Sequence, residues 1–578
     1  MPLPCDIIYH QCAFLLLAFS LYQREKKRVI ANYYPVKNKD KIEISRSLEF
    51  LILEGSIMPS DNIVIVLDFG GQYCHLISRR VRDAGVYSEI RPFDVSLEAL
   101  KELPVKGLIL SGGPSSVYEE GAPTLDTRIL DWCKSEQIPI LGLCYGHQLL
   151  GQLVGGVVEP NQVKEYGRTQ LAVKNATGVL EGLAEEETVW MSHGDQVKEL
   201  PEGFEVLAST NDCPIAAFAS DDNLITGLQF HPEVNHTPNG QHMLENFIYN
   251  ICKCEQNWSI EDWTRDAIEA IKNEVGNNRV LLALSGGVDS TVVSVLMQKA
   301  IGNRLHCVFV DNGVMRKNEG KDVDDYFKNV LHYKQFYRAD AQDKFLTKLA
   351  GVTDPEEKRK IIGYTFIEVF EEYAKNLEKK YGNFKYLAQG TIYPDRVETA
   401  ATSKSASRIK SHHNVTLPEK MNLKIIEPLM DLYKDEVRKV GRNLGIPEEI
   451  INRQPFPGPG LAIRCVGEVK KEYLDLLREA DSILIEEIKM AGIYEQLWQS
   501  FAVFLPVKTV GVMGDFRTYQ YLCSIRIVES KDAMTANFAR LDWDLLDRIS
   551  TRIINEVRGI NRVVYDISNK PPATIEYE

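Results

Sequence analysis

Ile138-Pro-Ile-Leu-Gly-Leu143 runs straight into Cys144-Tyr-Gly146, and this stretch decides the fold of the N-terminal half. The apolar run predicts a buried strand. Gly142-Leu-Cys144-Tyr-Gly146 has the form G-x-C-x-G, a nucleophile between two glycines at a strand-to-helix turn, which is held on a strained elbow. The glycines permit the turn, and the helix N-terminus beneath favours thiolate over thiol. Two further apolar runs precede it. Ile63–Leu67 (IVIVL) ends in Asp68-Phe-Gly-Gly-Gln72, and Gly107–Leu110 (GLIL) ends in Ser111-Gly-Gly-Pro114. Apolar strands alternating with helices predict a parallel α/β sheet. Ligands bind such sheets at the C-terminal ends of the strands.

Downstream, Gln229-Phe-His231-Pro-Glu233 follows the apolar stretch Leu224–Leu228. A thiolate nucleophile needs a base and a group that orients the base. His231 and Glu233 are two residues apart, so an extended segment turns both to one side. Cys elbow and His-x-Glu, in this order on this kind of sheet, resemble the class I glutamine amidotransferases. That resemblance implies Cys144 as nucleophile, His231 as proton shuttle and Glu233 as its orienting carboxylate. It implies oxyanion donors at the N–H of Tyr145 and at Gly112-Gly113. Trp190-Met-Ser-His-Gly-Asp195 matches the family's glutamine-site segment, which implies glutamine contacts from Ser192, His193, Gly194 and Asp195, with Gln148 beside them.

A second strand-to-loop pattern lies at Val280–Leu284 (VLLAL), followed by Ser285-Gly-Gly-Val-Asp-Ser290 and a helix from Thr291. Glycines let backbone approach phosphates, and a helix N-terminus attracts them. The chain has no G-x-x-x-x-G-K-[ST], so this is not a Walker loop. Ser285, Gly286, Gly287, Val288, Asp289 and Ser290 resemble the pyrophosphate loop of N-type ATP pyrophosphatases, which release pyrophosphate and transfer AMP. Cys307–Val310 then Asp311-Asn-Gly313, and later Ala388-Gln-Gly-Thr-Ile-Tyr-Pro-Asp395, supply two more strand ends. Asp289 is either a Mg²⁺ partner or a helix cap. Residues 398–420, rich in Ser, Lys and His, read as a polar surface loop or as a lid over phosphates.

Phe456-Pro-Gly-Pro-Gly460 is a cluster of chain breakers and marks a boundary. A helix is expected over Val469–Ala491, and strands over Val507–Val512 and Ser524–Val528. The chain ends in Lys570-Pro-Pro-Ala-Thr-Ile-Glu576-Tyr-Glu, an unusually stiff composition for a tail.

The 578 residues, 44% hydrophobic and 26% charged, have ordinary globular composition, which excludes a disordered or collagen-like chain. The net charge of −14 argues against a dedicated nucleic-acid binder. Eleven scattered cysteines without a CxxC pair suit neither a disulfide framework nor a structural zinc site, and fit a reducing cytosol. The apolar run Cys12–Tyr22 is too short to span a bilayer, and its basic cluster follows it rather than preceding it. The expected organisation is a dispensable N-terminal extension over 1–57, then modules over 60–252, 255–455 and 456–578.

Taken together, SGGVDS, KRKIIG (Lys358–Gly363), QGTIYPD, IKSHHNV (Ile409–Val415), PFPGPG, VFLPV (Val503–Val507), VGVMGD (Val510–Asp515) and KPPATIE resemble the glutamine-hydrolysing GMP synthetases from about Ile63 to Glu578. The resemblance implies two parallel-sheet α/β domains, an amidotransferase and an ATP pyrophosphatase, with a smaller α+β dimerisation domain. It implies XMP, ATP and glutamine as substrates, Mg²⁺ with the ATP and no organic prosthetic group. It also implies a cytoplasmic homodimer with no membrane or nucleic-acid partner. Lys410 is expected on ATP phosphates, and Arg316, Arg517, Lys570, Ile575 and Glu576 on XMP. One departure stands out: where the family shows a glycine pair after SHHNV, this chain reads Thr416-Leu-Pro418, one residue shorter. A different amidotransferase–ligase, a non-catalytic nucleotide sensor and an RNA-modifying adenylase are the competing readings. The XMP-side segments, the retained Cys144, His231 and SGGVDS, and the acidic charge count against them in turn.

Overall fold

The structure, a computed structural model, describes residues 62–395, 423–513, 515–530 and 535–578. The extension 1–57, the polar stretch 398–420 with Lys410, and the shortened segment after Val415 lie outside the described residues.

The first sheet has nine strands: β1 (Ile63–Asp68), β2 (Ser88–Pro92), β3 (Val105–Leu110), β4 (Ile140–Leu143), β5 (Val157–Val173), β6 (Glu186–Glu199), β7 (Phe204–Ser209), β8 (Ala217–Ser220) and β9 (Ile225–Leu228), in the order β2-β1-β3-β4-β9-β8-β7-β5-β6. β1, β3, β4 and β9 are short apolar runs, parallel and buried, as strands covered on both faces must be. Their register pairs Leu67 with Leu110, Leu110 with Gly142 and Leu143 with Leu228, so Asp68, Ser111, Cys144 and Gln229 leave the sheet at one edge. Beyond these parallel strands the same sheet carries an antiparallel half, β5 to β8. β6 alternates buried and half-buried residues from Glu187 to Gly194, the pattern of a sheet with one face partly open to water.

The second sheet is entirely parallel: β10 (Val280–Leu284), β11 (Leu305–Asp311), β12 (Phe336–Asp340), β13 (Tyr386–Ala388) and β14 (Lys424–Ile426), in the order β12-β11-β10-β13-β14. The chain steps outward from β10 to β12, then returns to the other side of β10. Strand order therefore reverses between β10 and β13, where open α/β sheets bind ligands.

The third sheet is a long antiparallel hairpin, β15 (Gln499–Met513) and β16 (Phe516–Glu529), with β17 (Asn537–Phe538) and a parallel β18 (Ile560–Tyr565) beside β16. The helices Lys471–Met490 and Trp543–Glu556 share its core. That core is continuous with the second module, from Leu281, Val308 and Ile362 through Leu461 to Leu477, Ile525 and Ile553. Phe456 packs against this core, and Leu461 lies in it. Leu461 N–H donates to Val314 O at 2.7 Å, and a Cβ on Gly460 would stand 2.3 Å from that oxygen. The outer part of the hairpin exposes Val510, Val512, Phe516 and Tyr519, each more than half exposed.

Arg82 joins the first two modules. It is buried on the helix Cys74–Asp83 of the first module, 3.1 Å from Glu436 of the second. Four aromatic rings, Tyr87, Trp258, Tyr393 and Tyr433, lie 4.9–5.2 Å from its guanidinium. Cation–π attraction and the ion pair together offset the desolvation of a buried charge. Tyr393 belongs to QGTIYPD, and its hydroxyl accepts from Ile90 N–H on β2.

Candidate active site

Cys144 is the residue between β4 and the helix Tyr145–Leu153, with φ 54° and ψ −103°. A non-glycine residue with positive φ is strained, and such strain persists only where surroundings enforce it. Two glycines allow the enforcement. A Cβ on Gly142 would lie 2.4 Å from Gly146 O, and one on Gly146 would lie 2.4 Å from Leu110 O. Cys144 N–H donates to Leu228 O at 2.8 Å, tying the elbow to β9.

β9 leads into Gln229-Phe-His231-Pro-Glu233, so the same sheet edge brings His231 to Cys144. His231 Nδ1 is 2.7 Å from Glu233 Oε1, and both residues are buried. Burial opposes a charged imidazole, but the neighbouring Glu233 and Cys144 outweigh it, and the His231 pKa rises. Tyr73 packs edge-on against His231 at 5.1 Å. A Cβ on Gly112 would stand 3.3 Å from His231 Cε1 and 3.7 Å from Cys144 Cβ, so Gly112 closes the third side. Gly113 lies against the Tyr145 ring.

The segment Ser192–Asp195, on β6, faces this group. Cys144 Sγ is 3.5 Å from Ser192 O, and Gln148 Nε2 donates to Asp195 O at 2.9 Å. The Asp195 carboxylate accepts from Ser116 Oγ (2.5 Å) and Tyr118 OH (2.8 Å), two residues that no motif marks. Gly194 lies beside the Lys164 side chain. Glu165, His193 and Cys213 place metal-ligating atoms within 4.8 Å of one another. Hydrogen bonding explains the cluster: His193 contacts Asp195 O (2.9 Å) and Glu165 (3.1 Å), and Thr210 donates to Glu165 (2.9 Å). Burial pushes the Cys213 thiol up to about 12. The cluster therefore stiffens the segment that faces Cys144.

At the second site, Gly286 adopts φ +80°, and the helix Val288–Ile301 starts at Gly287 without a side-chain cap. A helix start of this kind leaves its first N–H groups without intrahelical partners. Ser285 and Ser290 hydroxyls meet at 3.1 Å, and Gly287 N–H donates to Ser285 Oγ. The β13 loop abuts this turn, since a Cβ on Gly390 would touch Asp289 and Ser290 N at 3.5 Å. Asp289 makes no cap hydrogen bond. Both its oxygens lie within 2.6 Å of Lys434 Nζ. Arg453 donates to Gly286 O at 3.2 Å. Lys434 and Arg453 carry no motif signal, because they approach the loop from more than a hundred residues away.

Arg316, Ile575 and Glu576 gather around Phe456 and β15. Arg316 is 3.3 Å from Asp481, donates to Ser500 O and lies 5.2 Å from the Phe456 ring. Glu576 meets the buried Arg464, itself 5.1 Å from the same ring, and Ile575 packs with Phe501 and Val503. Lys570 pairs its backbone with Ala536. Arg517 does not join them within one chain. It is exposed at the hairpin end, nine residues along β16 from Arg526, the residue that touches Ile575, or about 30 Å of strand.

Residues 65–251 match the family described as glutamine amidotransferase class-I, 259–350 the NAD synthase family and 486–577 the GMP synthase C terminal domain. Fold and site thus define a class I glutamine amidotransferase joined to an NAD-synthase-like nucleotide module. Three full-length relatives carry the name GMP synthase [glutamine-hydrolyzing]. That of Aquifex aeolicus is 54% identical, covering 89% of this chain and 99% of that protein. That of Brachyspira hyodysenteriae is 52% identical, covering 89% and 99%, and that of Clostridium perfringens is 51% identical, covering 89% and 100%. The chain belongs to the glutamine-hydrolysing GMP synthase family. No helix among the described residues is long and apolar enough to cross a membrane.

Proposed function

We propose that the chain makes GMP from XMP, ATP and glutamine, freeing ammonia at Cys144 and activating XMP beside the SGGVDS loop. The observation that carries this reading is the pairing of Cys144, His231 and Glu233 on one sheet edge with an uncapped glycine loop at the switch point of the second sheet.

Cys144 Sγ attacks the side-chain carbonyl carbon of glutamine. Charge moves to the carbonyl oxygen, received by the N–H of Tyr145 and by Gly112-Gly113. His231, held by Glu233, protonates the departing nitrogen and ammonia leaves. Water gives a proton to His231 and cleaves the thioester, releasing glutamate and restoring the thiol. Ser192, His193, Gly194, Asp195 and Gln148 hold the glutamine.

At the second site the C2 oxygen of XMP attacks the α-phosphorus of ATP, and pyrophosphate leaves against Ser285–Ser290, with Lys410 on the phosphates. Ammonia then adds at C2, AMP departs with the C–O electrons, and loss of a proton gives GMP. Adenylation makes a good leaving group of a poor one. Shielding ammonia between sites keeps it unprotonated and nucleophilic. Asp289 offers a single hard oxygen ligand of the kind magnesium takes; Mg²⁺ entering with ATP would neutralise phosphate charge there, with Lys434 yielding the carboxylate. Arg316, Lys570, Ile575 and Glu576 hold XMP. The exposed hairpin suits a homodimer, since patches of this kind mark association surfaces. Arg517, remote from the other XMP residues, reaches an XMP site only across such a dimer. The acidic chain works in the cytoplasm without membrane or nucleic-acid partners.

The test is C144A assayed with each nitrogen source. Glutamine-driven GMP formation is lost and ammonium-driven formation stays; equal loss of both refutes the division into two sites.

A further inference from the structure

Three cations with fully buried side chains converge on the short C-terminal segment 568–578. Arg526 donates to the carbonyls of Ser568 (2.5 Å), Thr574 (3.1 Å) and Ile575 (3.4 Å). Arg464 grips the Glu576 carboxylate with two nitrogens, Nε at 3.0 Å and Nη2 at 2.8 Å, and its guanidinium lies 3.9 Å from the Phe501 ring. Lys358 Nζ donates to Ala462 O (3.2 Å), Cys465 O (2.9 Å) and the Glu578 carboxylate, so its three protons are all used. Gly467 N–H donates to the other Glu578 oxygen at 2.8 Å. The side chains of all three cations are 0% exposed.

Glu576 and Glu578 both meet cations, while Tyr577 between them reaches Ser524 Oγ at 2.9 Å. Buried ion pairs add little stability compared with apolar packing, but breaking one is costly, so they fix geometry better than they stabilise a fold. The tail contributes one side chain, Ile575, to a small apolar cluster. Lys358 stands on the helix Pro355–Tyr381 of the second module, so its bond to Glu578 ties the tail to the body that carries the glycine loop.

We infer that Lys358, Arg464 and Arg526 form a preset clamp that holds Ile575 and Glu576 in their XMP-binding position before the nucleotide arrives, with Glu578 as its anchor. This rests on the reading of Ile575 and Glu576 as XMP contacts. Lys358, Arg526 and Glu578 are positioning residues: they act on XMP through the tail.

The test measures ammonium-driven GMP formation at saturating ATP, with E578Q and K358M beside the unaltered chain. Each variant raises KM for XMP by about tenfold, the worth of one charge-assisted hydrogen bond, while kcat at saturating XMP and KM for ATP change less than about twofold. The double variant costs less than the two single effects combined, because the partners act as a pair. Carboxypeptidase treatment of the unaltered chain gives a measurement free of any folding defect: Tyr577 and Glu578 stay on the chain without XMP. An XMP KM within about twofold of the unaltered chain's, equal rises in KM for XMP and ATP, or a tail that carboxypeptidase trims as freely as an unbound peptide each overturn the clamp. An unaltered chain that forms no GMP overturns the functional reading beneath it instead.

Discussion

Replacing Glu233 with Gln removes one charge and almost no volume from the first site. Glu233 is 1% exposed, and its Oε1 lies 2.7 Å from His231 Nδ1. The amide oxygen of Gln still accepts from Nδ1–H, so the ring keeps its orientation and loses only the charge assistance. A hydrogen bond to a buried charge contributes about 1.5–3 kcal/mol, and lost from the transition state this slows glutamine hydrolysis by about ten- to a hundredfold. The pH dependence carries a sign. Burial lowers the His231 pKa, while Glu233 and Cys144 raise it further than burial lowers it. Without the Glu233 charge the imidazolium is lost at lower pH, so the alkaline limb of glutaminase activity moves toward neutrality. The assay follows glutamate release across neutral to alkaline pH in E233Q and in the unaltered chain, with ammonium-driven GMP formation as the internal control. An unmoved alkaline limb, or an ammonium-driven rate that falls as far as the glutaminase rate, refutes the reasoning.

Other substitutions probe other regions of the molecule. G146A sets a Cβ 2.4 Å from Leu110 O, a backbone atom that cannot rotate away; the overpacking costs about 1–3 kcal/mol and glutaminase activity falls while ammonium-driven activity remains, which paired rate and urea-melt measurements check. R82M leaves Glu436 buried without its cation and lowers stability by about 3–5 kcal/mol, read from the urea midpoint; a loss below about 1 kcal/mol means the cage is wet. K434M frees Asp289, so KM for ATP changes while glutaminase activity without nucleotide holds; an unchanged KM for ATP removes Lys434 from the nucleotide site.

Much of the site was legible locally, because elbows and phosphate turns are built from neighbouring residues. Gly142, Cys144 and Gly146 lie close together along the chain, as do Ser285 to Ser290, and an apolar strand precedes each. The antiparallel half of the first sheet was not legible as such. β5 and β6 contain Pro160, Glu165 and other polar residues, and their alternation means a half-wet sheet only once the partner strand is known.

The sequence by itself determined which residues stand at strand ends, because a short apolar run followed by glycines has few other solutions in water. Tertiary structure alone decided what meets those ends. Lys434 reaches Asp289 from 145 positions away, Glu436 reaches Arg82 from 354, and Lys358 reaches Glu578 from 220. For Arg82 and Lys358, whose side chains are buried, the pairing of opposite charges is enforced by burial rather than by spacing, and burial exists only after the chain has folded.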